Sequence, residues 1–384
     1  MRVLMIGWEL PPYNSGGLGT ACLGLAKSLS DEGVELTFVL PKKVDLSFAF
    51  MRLIFAGVEG QEIFLRYADP GAYGGDLLRE VREYARRLVS IAKQEQFDII
   101  HAHDWLSFGA GLAARNISGK PLVVHVHATE SDRTGGGSVN PVVYALEKTG
   151  MQMADSVIAI SHFTKAGLVA DYALDQNKIK VVHNGVDPPK PFDFKMGKSF
   201  FELKKNGHKV VVFVGRITLQ KGPDYFLRAA KGVLDRYPSV YFLMVGSGDM
   251  ERQMIMEAAK LGIADKVFFT GFLRDRELEE VYRAADLLVM PSVSEPFGIV
   301  PLEAMIRGTP VIISKQSGVS EVVNHALKAD FWDVDEMVNQ ILAILHYQPL
   351  SETLREEGVK ESGQITWAAA AQKCVDLYRS MIKV

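Results

Sequence analysis

Apolar residues along the chain fall into short β-branched runs separated by longer stretches of helical periodicity. Runs at residues 3–6, 36–40, 99–102, 122–126, 156–160 and 179–182 predict strands, and their alternation with helices predicts a parallel sheet covered by helices. The pattern restarts at residues 210–214, 241–245, 267–270, 287–290 and 310–313, which predicts a second α/β domain of the same kind. Between the two series, residues 188–207 carry Pro188, Pro189 and Pro191 and read as a linker. The domains expected are therefore 1–187 and 208–366. A last helix, 367–384, places Ala370, Ala371, Cys374, Val375, Leu377 and Tyr378 at the spacing of one buried face. Periodicity does not say which domain buries it.

The length of 384 residues agrees with two cores, because single cores stop growing near about 250–300 residues. No fixed-period repeat or low-complexity tract points to a solenoid. The apolar stretch 48–58 is interrupted by Arg52 and is too short to span a bilayer, so no transmembrane segment is expected. The first residues lead into Trp8-Glu9-Leu10-Pro11-Pro12 and read as a strand rather than a secretion signal. A net charge of −3 without a basic block argues against a nucleic-acid partner. Cys22 and Cys374, far apart in sequence, suggest neither a disulfide framework nor a zinc set, and a reducing cytoplasm suits them. The oligomeric state is not legible.

Open parallel sheets bind ligands beyond the carboxyl ends of their strands, so motifs there carry the most weight. After the first strand, Gly16, Gly17 and Gly19 precede a helical pattern, which suits backbone N–H groups approaching an anion. A tight strand-to-helix turn would explain them equally well. In the second domain the strand 210–214 delivers Arg216 and then Lys221, a fork and a mobile charge suited to a diphosphate. The commoner fate of such residues is a solvated surface. Pro291-Ser292-Val293-Ser294-Glu295-Pro296-Phe297-Gly298-Ile299 leads to Glu303, two carboxylates bracketing a loop and a helix start. That spacing suits contacts to a sugar and a ribose beside loop N–H groups, although Glu303 could simply complement a helix dipole.

Taken in order, the glycine loop, Arg216 with Lys221, and Glu295-Pro296-Phe297-Gly298 with Glu303 resemble the retaining glycosyltransferase family 4, which includes glycogen and starch synthases. The resemblance extends over almost the whole chain. It implies the GT-B fold, two Rossmann-like domains with parallel sheets facing a central cleft, and a last helix that completes the first domain. It also implies an acceptor-side first domain and a donor-side second domain.

Roles follow from the resemblance position by position. Gly16 and Gly17 would meet the donor phosphate; Arg216 and Lys221 would neutralise the departing diphosphate; Glu303 would hold the ribose hydroxyls. Glu295 would contact the transferred sugar beside the backbone of Phe297, Gly298 and Ile299, and Phe272 and Leu273 would lie against the base. His127 matches the family's histidine near the reacting carbon, where the residues alone would allow an ordinary strand-end histidine. His101-Ala102-His103-Asp104-Trp105 resembles a cleft-side stretch of glycogen and starch synthases, which makes Asp104 and Trp105 acceptor-side candidates. The polar segment after His127 adds Glu130 and Arg133, if it is not merely a mobile surface loop. Alternation puts His101 and His103 on one strand face and His125 and His127 on another such face, yet no further ligand is specified and no metal site is expected.

One departure bears on substrate identity. Bacterial and plant glycogen and starch synthases commonly carry Lys-Thr where this chain has Asn14-Ser15, so one phosphate-facing cation is missing. The expectation is transfer of a hexose, glucose first among them, from an ADP- or UDP-linked donor to a glucan or other sugar hydroxyl, with no cofactor and no metal. A nucleotide-sugar epimerase and a non-catalytic nucleotide-sugar-binding subunit are the competing readings.

Overall fold

The computed structural model describes residues 1–14, 16–59, 75–189 and 198–382. Contacts divide the chain into two units, Met1–Gly185 with Thr366–Val384, and Val186–Ile365.

The first unit is built on the strands β1 (Arg2–Ile6), β2 (Glu35–Leu40), β3 (Arg52–Phe55), β4 (Ile99–His103), β5 (Leu122–Val126), β6 (Ser156–Ala159) and β7 (Ile179–Val181). They form one parallel sheet in the order β3-β2-β1-β4-β5-β6-β7. Strands β4 and β5 are buried at every position, as expected where both faces are covered. One face packs Leu4, Ile6, Ala102, Val124 and Val126 against Tyr84 and Phe108 from helices. The last helix, Trp367–Met381, packs in this unit against the helix Gly17–Asp31. Trp367 is the reason Gly24 has no side chain, since a Cβ there would stand 2.5 Å from the indole.

The second unit repeats the plan with β8 (Lys209–Val214), β9 (Val240–Val245), β10 (Val267–Gly271), β11 (Leu287–Met290), β12 (Val311–Ser314) and β13 (Leu327–Ala329). Its parallel order is β10-β9-β8-β11-β12-β13. In each unit the strand order reverses once, between β1 and β4 and between β8 and β11. These are the positions where crevices open beyond the strand ends.

Two strands lie outside the sequence expectation, β3 and β13, and both are short sheet edges. An edge strand is covered less and has no need of the continuous apolar run that marked the others. The expected linker 188–207 also requires correction. Its part from Lys198 to Lys205 is a helix of the second unit, and Lys204 pairs with Asp286, just before β11. Residues 190–197, with Pro191, lie outside the described residues.

Candidate active site

In the first unit the alternation of β4 and β5 stacks four imidazoles on one sheet face. His101 and His103 have ring centroids 4.3 Å apart, as do His125 and His127, and His103 is the register partner of His125. His101 Nε2 lies 3.2 Å from His125 Nδ1, and His103 Nδ1 lies 2.9 Å from His127 Nε2. Tyr378 of the last helix closes one end, its hydroxyl 2.6 Å from His101 Nδ1. Burial holds all four rings below the ordinary histidine range, His101 at about 3, because a cation there would lose its water. His101, His103 and His125, and separately Cys22, His103 and His127, are close enough to share a metal ion, although a metal would have to break these imidazole pairs.

Asp104 clasps the two strand ends. Its backbone N–H donates to His125 O at 2.9 Å, and its Oδ1 accepts from the backbone N–H of His127 at 2.7 Å. The residue pays with a left-handed φ of 58° at ψ 169°, a region costing on the order of 1–3 kcal/mol outside glycine. His127, only 8% exposed, is thereby fixed at the carboxyl end of β5.

The other acceptor-side candidates turn inward. Trp105 and Glu130 are each 1% exposed and Arg133 6%. Arg133 reaches Glu147 at 3.2 Å, Asp104 at 3.6 Å and Glu130 at 3.8 Å, and Tyr172 donates its hydroxyl to Glu147. Burial pushes the Glu147 carboxyl up to about 7 against the opposing pull of Arg133. Three carboxylates share one guanidinium here, so Glu130 and Arg133 hold the turn after His127 in place. The backbone of Asn140, donating to Glu130 Oε1 at 3.3 Å, ties the far end of the loop to the same cluster.

At the end of β1 the glycine loop leaves open space at two of its three glycines. A Cβ added at Gly16 or Gly17 would meet no protein atom within 4 Å, whereas at Gly19 it would strike Asn14 at 2.7 Å. Gly19 is therefore explained by packing, and Gly16 and Gly17 are not. The helix Gly17–Asp31 begins without a side-chain cap, leaving its first N–H groups to other partners. Ser15 lies outside the described residues.

In the second unit, two loops interlock beyond β8 and β11. Gln220 O accepts from the backbone of Val293 at 2.9 Å, and Gly222, at φ 64°, leaves no room for a Cβ, which would stand 2.2 Å from Pro291 O. The interlock brings Lys221 Nζ to 2.5 Å from Glu295 Oε2, which also accepts from Ser292 Oγ at 3.2 Å. Arg216 follows Gly215 at the end of β8 and is half-buried. Gly298, at φ 99°, turns the chain from buried Phe297 into the helix Ile299–Met305. Glu303 stands beyond the first turn of that helix, so its role is not that of a dipole-complementing acid. It accepts from Tyr282 Oη at 2.8 Å, and burial raises its carboxyl above the ordinary range. Phe272 is 53% exposed after β10, with the Arg274 guanidinium 4.9 Å above its ring, and Leu273 beside it is half-buried.

Residues 15–190 match the family described as Glycosyltransferase Family 4, and residues 196–361 match that described as Glycosyl transferases group 1. The chain is 31% identical over 335 residues to the uncharacterized glycosyltransferase MJ1607 of Methanocaldococcus jannaschii, covering 85% of this chain and 83% of that one. The chain belongs to glycosyltransferase family 4. This family 4 chain is also 28% identical to a glycogen synthase of Mycobacterium tuberculosis, over 84% of itself and 80% of that protein. Its GT-B fold is shared with Anabaena Alr3699/HepE, solved in complex with UDP and glucose, at a TM-score of 0.76 and 20% identity over 99% and 100% of the two chains. No described helix of the glycosyltransferase is long and apolar enough to cross a membrane.

Sequence reasoning missed several members of these sites. Ser292, Tyr282 and Glu147 enter only through folded contacts, and Tyr378 comes from 277 residues beyond His101. Tyr378 did carry a signal, since it lies on the apolar face of the last helix.

Proposed function

We propose that the protein transfers a hexose, glucose first among them, from a nucleoside-diphosphate sugar to a carbohydrate hydroxyl with retention of configuration. The observation that carries the reading is the Lys221–Glu295 contact at the ends of β8 and β11, where a cation and a carboxylate stand together beyond the switch point. In this reading Arg216 and Lys221 stabilise the charge on the departing diphosphate, and Glu303 holds the ribose. Gly16 and Gly17 offer backbone N–H groups to phosphate, and Phe272 and Leu273 lie against the base. Glu295 and the backbone of Phe297, Gly298 and Ile299 hold the sugar, with His127 beside its reacting end.

The chemistry asked of the protein is positioning and electrostatic stabilisation. The departing phosphate itself accepts the proton of the acceptor hydroxyl on the face it leaves. Support comes from the family, whose relatives include a glycogen synthase, and from a shared fold solved with UDP and glucose. The direct test is a matrix of ADP-, UDP- and GDP-sugars against glucans and small sugars, read by nucleoside diphosphate release. Release that depends on both donor and acceptor is the expected outcome. An epimerised donor without acceptor would replace transfer with epimerisation, and donor binding without turnover in any pair would leave a binding subunit.

A further inference from the structure

The reading of His127 as a sugar contact leaves open which of its nitrogens carries the proton. His103 Nδ1 and His127 Nε2 are 2.9 Å apart, a distance that does not say which donates. The deciding atom is His103 Nε2, which is buried and makes no hydrogen bond among the described residues. Burial keeps His103 neutral, so it has a single ring proton to place. On Nε2 that proton would be a donor stranded in the interior. On Nδ1 it is used, and only a lone pair is left bare. Stranded buried N–H donors are the rarer of the two defects.

The neighbouring pair is constrained in the same way, independently of the first. His125 Nε2 is also buried without a partner. Its proton belongs on Nδ1, donating to His101 Nε2 at 3.2 Å; His101 Nδ1 then donates to Tyr378 Oη at 2.6 Å. Each chain of donors runs one way, and no N–H is stranded in either.

We infer that His103 is a positioning residue that holds His127 as its Nδ1–H tautomer, so that His127 presents a hydrogen-bond donor to a sugar oxygen and has no lone pair there to act as a base. His127 Nδ1 makes no hydrogen bond among the described residues and is not among the buried unpartnered atoms, so it is open to a ligand. The inference rests on the proposed function for what His127 meets, and not for the tautomer itself.

The test is a long-range proton–nitrogen NMR correlation on protein labelled with 15N-histidine, recorded without donor or acceptor and assigned by loss of the His127 signals in His127→Asn. The expected spectrum has His127 protonated at Nδ1 and bare at Nε2. Protonation at Nε2 would overturn the inference. Two variants separate positioning from bulk. His103→Asn can put an amide N–H where Nδ1 stood and should keep the His127 tautomer, whereas His103→Leu should yield a mixture of tautomers. Turnover should fall roughly tenfold in the leucine variant, about the worth of one hydrogen bond, with less loss in the asparagine variant and little change in KM. Equal losses in both variants with an unchanged His127 spectrum would also overturn it. The Nδ1–H spectrum in a protein with no transferase turnover would uphold the tautomer, and the transfer reading would be what fails.

Discussion

Lys221 Nζ and Glu295 Oε2 stand 2.5 Å apart, joining the loop after β8 to the loop after β11. The two side chains are 20% and 10% exposed, so the pair is screened less than a surface ion pair. Lys221→Ala should therefore act twice. It should lower stability by about 1–2 kcal/mol, because Glu295 loses its counter-ion in a half-dry site. It should also cut turnover roughly 100- to 1000-fold at saturating donor, the usual worth of a group that stabilises developing charge. Lys221→Ala combined with Glu295→Gln should recover much of the stability and none of the turnover, as read by thermal unfolding and product formation. Wild-type turnover in Lys221→Ala would remove the lysine from the site.

Gly17 gives the opposite pairing of effects. A methyl group there touches no protein atom, and alanine favours a helix over glycine, so Gly17→Ala should leave stability unchanged or raise it by about 0.4–1 kcal/mol. Donor affinity should fall, because the methyl group occupies the space through which a phosphate would approach the N–H. Calorimetric titration with donor checks this, and unchanged affinity would return the loop to the role of a plain turn.

The histidine ladder predicts an acid-labile first unit. All four rings have folded pKa values depressed by burial, so the unfolded chain takes up protons that the folded one does not. Their stabilisation is complete above about pH 6.5 and is lost as pH falls below it, by about 1.4 kcal/mol per pH unit for each ring. For His101 the loss continues toward its folded value of about 3. His125→Asn, which can still donate to His101, should flatten the dependence by one such increment. Chemical unfolding at pH 5, 6 and 7 measures it, and an unchanged slope would show that His125 is protonated in the folded state.

Much of this was legible before folding, and the exceptions share a cause. The buried central strands announce themselves because both faces are covered and most positions are apolar, and the glycine, Arg216–Lys221 and Glu295–Glu303 motifs lie just beyond them. The edge strands β3 and β13 carry no such demand. Glu130 and Arg133 look like solvent-facing loop residues because sequence spacing cannot show that Glu147 and Asp104 arrive from other elements to compensate their charge. The ladder was half visible: alternation placed the histidines in pairs, but only register brought the pairs together, and only the last helix supplied Tyr378.

Turnover should not need a divalent metal. In the proposed site Arg216, Lys221 and backbone N–H groups would supply the positive potential that a metal would otherwise bring to the diphosphate. A chelator should leave the rate nearly unchanged. Loss of activity restored by magnesium or manganese would mean that the phosphate site is completed by a cation.

Transfer with retention is read from the anomeric configuration of the first product formed. Glu295, the carboxylate proposed to contact the sugar, is held by Lys221 and Ser292. The proposed reading is front-face transfer, in which the departing phosphate takes the acceptor proton while Arg216 and Lys221 stabilise it. Proton NMR of the product formed in the first turnovers from an α-linked donor should show the small anomeric coupling of an α-linkage. A β-linked first product would overturn the proposed retention.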